Sequence, residues 1–172
     1  KALLGLAQTF KDQIVPEGKT HLIPYFFDQN VYFENPFQVN SSISPKHLQS
    51  SLALYDSLLV SLPKSSLLAE AYFRLGEIQY RILQDFDQAN ALFRSALQNK
   101  PDKTIKIETL KRIVDVLIAK GNTEYALEFL DKQLAKNNSP KLEQKRILVH
   151  FLINDPDSTL NLVNDSFAEM NP

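Results

Sequence analysis

Groups capable of chemistry are sparse in this chain. It contains no cysteine, so it offers no thiolate nucleophile, no thiolate metal ligand and no disulfide. The three histidines, His21, His47 and His150, lie far apart, and none stands four residues from another as two ligands on one helix face would. They read as ordinary surface or helix-face histidines, and no metal site is expected. Asp85 and Asp87 flank Phe86, and Asp155 and Asp157 flank Pro156. Carboxylates this close could work as an acid–base pair. Ahead of an apolar helical pattern they are better read as caps, accepting hydrogen bonds from the unpaired N–H groups of a first helical turn. Four glycines, at 5, 18, 76 and 121, cannot build a phosphate-cradling loop. Asn40, Asn137 and Asn164 open Asn-x-Ser sequons, a pattern short enough to arise by chance. Nothing in this set supports an enzyme, and no cofactor is expected.

The bulk composition narrows the class further. At 172 residues the chain can form one well-packed domain or a short array of helical hairpins. A hydrophobic content of 44% with 23% charged residues is that of an ordinary soluble globular protein. The net charge of −1 speaks against a nucleic-acid binder, which carries a clear basic excess. The basic pairs Lys111-Arg112 and Lys145-Arg146 read as solvated helix faces. No apolar run approaches the roughly 18 residues that a membrane span requires. The absence of cysteine suits cytoplasm and periplasm equally. A first residue that is Lys rather than Met, with no signal-type segment after it, suggests a processed chain or a piece of a longer one.

What the chain does carry is helix-packing pattern. Residues 69–101 bring Tyr72, Leu75, Gly76 and Tyr80, then Ala89, Phe93 and Ala96, closing on Pro101. Large and small groups alternate at helical spacing on two successive helices, which is what two helices need to interlock: a Gly or Ala hole for each aromatic or Leu knob. The triplet Ala89, Phe93, Pro101 recurs upstream as Ser51, Tyr55, Pro63 and downstream as Ala126, Leu130, Pro140. Its near-constant offset marks three second helices of hairpins, near 46–61, 86–99 and 123–136. First helices fit between them at 67–83 and 103–120, where apolar residues recur at i, i+3, i+4 and i+7. One surplus residue falls in the turn at 83–87. Gly121-Asn122 is a stop-and-restart signal. Ser44-Pro45, Ser139-Pro140 and Asp155-Pro156 each set a capping side chain before a proline at the first helical position. The last two bracket a further hairpin, 141–153 and 157–169.

The 69–101 unit resembles a tetratricopeptide repeat, with its aromatic, Leu-Gly, aromatic, Ala, aromatic, Ala and Pro positions over about 34 residues. The resemblance implies an all-α fold, a right-handed superhelix of about four hairpins in one domain spanning residues 1–172. The first hairpin, 1–61, opens with a Leu4-Gly5 pair and carries an inserted segment at about 15–45. The second repeat is 67–101, the third 103–138, and 141–170 is a degenerate or capping hairpin. The insertion holds four of the nine prolines and the aromatics Tyr25, Phe26, Phe27, Tyr32, Phe33 and Phe37. So many aromatics argue for a segment that packs on the first hairpins, with docking of another protein as the alternative.

In this family first helices line a concave face that selects a peptide or protein partner. Carried across, the candidates are Glu70, Phe73, Arg74, Glu77, Tyr80 and Arg81 from one helix, and Glu108, Lys111, Arg112 and Asp115 from the next. The lysine–asparagine clamp of chaperone-binding members is missing: Phe73 and Glu77 occupy one set of its positions, Lys111 and Asp115 the other. The segment from Pro63 to Gly76 is similar to repeats of bacterial envelope proteins, including outer-membrane assembly lipoproteins and Tol–Pal-associated proteins. An adaptor or assembly scaffold at the cell envelope is therefore the expectation. The alternatives are a regulatory module of a larger enzyme, and a structural protein that self-associates through the open ends of the array.

Overall fold

Helix periodicity in the sequence becomes helix throughout the computed structural model, which describes residues 1–12, 45–153 and 156–170. Among them are eight α-helices and no strand, so the protein is all-α. The inserted aromatics Tyr25, Phe26, Phe27, Tyr32, Phe33 and Phe37, together with His21, Asn40, Ser44 and Asp155, lie outside the described residues. The chain divides into two compact units, Lys1–Thr109 and Leu110–Pro172.

The first unit holds α1 (Ala2–Asp12), α2 (Pro45–Ser61), α3 (Ser66–Ile78) and α4 (Phe86–Gln98). It also takes the beginning of α5 (Lys103–Ala119). Helices α1 and α2 run antiparallel. Phe10 faces His47 with ring centroids 6.1 Å apart, and one turn along the buried Ser51 hydroxyl donates to the Ala7 carbonyl at 3.1 Å. That bond satisfies the hydroxyl, which would otherwise be stranded in the core. Leu4, Ala7, Tyr55, Leu58, Ala71, Leu75, Ile78 and Leu92 form one buried cluster drawn from all four helices.

Helices α3 and α4 pair through the motif seen in the sequence. Gly76 lies against the ring of Phe93, so close that a Cβ on residue 76 would stand 2.6 Å from Phe93 Cε1. Only a residue without a side chain permits that approach. The helix starts are capped as their sequences require: Ser65 Oγ accepts from the Leu68 N–H, Asp85 Oδ1 from Gln88 at 2.9 Å, and Asp102 Oδ1 from Ile105 at 2.8 Å. Asp85 is thus a cap.

One element differs from the expected continuous helix at 67–83. After Ile78 the chain makes a π-helical turn, Gln79–Leu83, and closes it with Gln84 in the left-handed region at φ 54°. A π turn takes one residue more per hydrogen-bonded loop than an α turn. The surplus residue assigned to the 83–87 turn is therefore absorbed earlier, inside the helix.

The second unit holds the rest of α5, then α6 (Thr123–Leu134), α7 (Pro140–Leu152) and α8 (Pro156–Met170). Gly121, at φ 74°, ends α5. Its N–H bonds the Ile118 carbonyl, and the Asn122 N–H reaches back to Leu117 at 2.9 Å, the paired bonds of a Schellman stop. Pro140 opens α7 as expected, but the Ser139 side chain makes no capping bond. Leu110, Ile113, Val114, Val116, Leu117, Ala126, Leu130, Leu142 and Val149 are buried apolar residues of this unit.

Candidate functional site

Along α3 and the π-helical turn that follows it, one stripe carries charge: Glu70, Arg74, Glu77 and Arg81. Its members pair within the helix. Arg74 reaches Glu70 at 3.4 Å with both side chains about a third exposed, 35% and 33%, and Arg81 Nε lies 3.3 Å from Glu77. Partly exposed i, i+4 pairs of this kind add only about 0.3–0.5 kcal/mol to a helix. The guanidinium of Arg74 also lies over the Phe73 ring, 5.7 Å from its centroid.

The C-terminal end of α1 brings further groups to this stripe. Lys11 is half-buried, and burial lowers its ammonium pKa. The Glu77 and Asp12 carboxylates work against that shift, while Arg74 and Arg81 reinforce it. Between these helices the buried Tyr55 of α2 donates its phenolic hydrogen to Gln8 Oε1 at 3.3 Å. Burial pushes its phenol above the ordinary tyrosine value, with Arg74 opposing and Asp12 and Glu70 reinforcing the shift. The result is a half-buried polar strip with charges of both signs.

The other sequence candidates fall elsewhere. Phe73 is only 6% exposed and packs on Phe93 with centroids 5.9 Å apart. Tyr80, at 1%, packs on Phe86 at the same centroid distance. The Phe73 ring thus holds α3 to α4 and the Tyr80 ring holds the π-helical turn to α4, leaving Glu70 and Arg74 as the more accessible members of the stripe. Glu108 is half-buried on α5, in the first unit. Lys111, Arg112 and Asp115 belong to the second unit and are buried.

That last observation corrects the reading of the two basic pairs as solvated faces. Lys111 and Arg112 are buried, and Lys145, at 2% exposure, is among the most deeply buried side chains present. Lys145 Nζ donates to Asp115 Oδ1 at 2.6 Å, and Arg112 donates to the other carboxylate oxygen at 2.9 Å. Arg146 is the pair member that stays partly exposed, bridging to Glu143 at 3.1 Å and to Asp131 at 3.7 Å. Sequence reasoning missed the buried network because a lysine beside an arginine on a helix carries no mark of burial.

Among the described residues no group of three His, Asp or Glu side chains is placed to hold a metal ion. No helix among them is long and apolar enough to cross a membrane. Set against protein-family models, curated proteins and solved structures, the chain has no match.

Proposed function

We propose that this protein is a non-catalytic protein-interaction scaffold, a tetratricopeptide-like array that holds a peptide or protein partner on its first helices. The observation that carries this reading is the interlock of Gly76 with Phe93. It joins α3 to α4 at the positions where the repeat pattern requires a small residue and an aromatic. Helices paired in this way keep their aromatic groups inside and turn a polar stripe outward, here Glu70 and Arg74 with Lys11 nearby. In such an array the function lies in surface complementarity, which suits assembly or coordination at a bacterial envelope.

Affinity capture from native extract tests the proposal with three forms of the chain: intact, Arg74→Glu, and one lacking residues 18–42. Circular dichroism of each form establishes that it is folded. A partner retained by the deletion form and lost with Arg74→Glu supports recognition on the α3 stripe. A partner lost only with the deletion moves recognition to the inserted aromatics. Turnover of a substrate by the purified intact chain would refute the non-catalytic reading.

A further inference from the structure

Every residue of α5 from Leu110 to Leu117 is buried, so this part of the helix is covered on all sides. Such a helix needs something to fix how its neighbours align along it. Aliphatic groups do this poorly, since a slip of one turn exchanges one aliphatic contact for another. On α7 the side that meets Asp115 carries Leu142, Lys145 and Val149, at i, i+3 and i+7, all buried. Leu142 and Val149 can pack at several levels along α5; Lys145 cannot.

The edge of α5 around Asp115 shows why. One turn toward the N-terminus stand Lys111 and Arg112, and one turn toward the C-terminus stand Ile118 and Ala119. A slip in the first direction brings the Lys145 ammonium to like charge. A slip in the other takes it away from any carboxylate, to the half-buried Ile118 and the exposed Ala119. Within a turn either way, Asp115 is the one carboxylate on that edge, and its second oxygen is already engaged by Arg112 at 2.9 Å. A buried ion pair gains little net stability over a well-packed apolar pair, because desolvation of both charges offsets their attraction. Misaligned toward Lys111 and Arg112, however, it becomes a buried charge beside like charge, and misaligned the other way it loses its carboxylate. That asymmetry is what makes a buried polar contact a register device.

We propose that the Asp115–Lys145 pair, anchored by Arg112, fixes the register of α7 along α5, selecting one alignment of the second unit rather than adding to its stability. The natural chain has no cysteine, so two spin labels can be placed without interference. Asn122→Cys reports on α5, because the Asn122 N–H is bonded to the Leu117 carbonyl, and Phe151→Cys reports on α7; both positions are exposed. The labelled protein is expected to give a single distance. Lys145→Met, which keeps the length of the side chain and leaves Asp115 with Arg112, is expected to add a second distance displaced by about 5 Å, one helical turn. Its thermal midpoint should be unchanged or higher. Lys145→Arg should keep the single distance. A single unchanged distance in Lys145→Met, failure of that variant to fold, or a second distance in Lys145→Arg would each overturn the proposal.

Discussion

Adding one methyl group at Gly76 sets two effects against each other, and the structure decides which wins. The new Cβ would stand 2.6, 2.8 and 3.1 Å from Phe93 Cε1, Cδ1 and Cζ, where carbon atoms prefer about 3.5–4 Å. The ring would have to retreat by roughly an ångström to restore normal contact. It has little room, being fully buried with Phe73 close by. Overpacking of this kind costs about 1–3 kcal/mol. Against it, replacing Gly by Ala inside a helix is worth about 1 kcal/mol in propensity. Gly76→Ala should therefore destabilise by up to about 2 kcal/mol, lowering the midpoint by a few degrees for a chain of this size. In a Phe93→Leu background the clash is relieved while the propensity gain remains. There the same Gly76→Ala change should be neutral or stabilising by up to about 1 kcal/mol. Urea denaturation of the four proteins, followed by far-ultraviolet circular dichroism, measures the coupling directly. Equal effects of Gly76→Ala in both backgrounds would refute the interlock.

Three further perturbations follow from the same geometry. Leu75→Ala, removing a buried side chain from the first unit's core, should cost about 2–5 kcal/mol in denaturant titration. At the left-handed positions, Gly121→Ala should lower stability by about 1 kcal/mol, while Gln84→Gly should raise it by up to about 1 kcal/mol in the same titration. Because the folded-state pKa of Tyr55 is raised above its unfolded value, stability is fully present below about pH 10 and falls as pH rises beyond it, where the unfolded phenol ionises first. Tyr55→Phe should shallow that alkaline loss in a pH series of thermal midpoints.

Packing motifs were readable in the sequence wherever one residue type admits one geometry. Gly76 opposite an aromatic, Gly121 at a helix stop and Asp85 ahead of a helix each have a local cause, and each takes the expected role. The π-helical turn at Gln79–Leu83 was not readable, because a surplus residue can be absorbed in a helix or in the turn after it, and spacing alone does not distinguish them. Burial of Lys111, Arg112 and Lys145 was hidden for a different reason. Periodicity identifies one apolar face, whereas the α5 segment is covered all round, and a buried cation becomes intelligible only when Asp115, thirty residues before Lys145, is seen beside it. Phe73 and Tyr80 show the converse: aromatic residues assigned to a groove are buried, packing on Phe93 and Phe86 of α4.

Photo-crosslinking from the α3 stripe tests the interaction role most directly. A crosslinking amino acid at position 70, on the partly exposed Glu70–Arg74 pair, is compared with one at position 60 on α2, where Val60 is 90% exposed. In native extract the scaffold role predicts a discrete protein adduct from position 70 that position 60 does not give, and that Arg74→Glu abolishes. Identical adducts from both positions, or an adduct from position 70 that survives Arg74→Glu, would contradict recognition on this face.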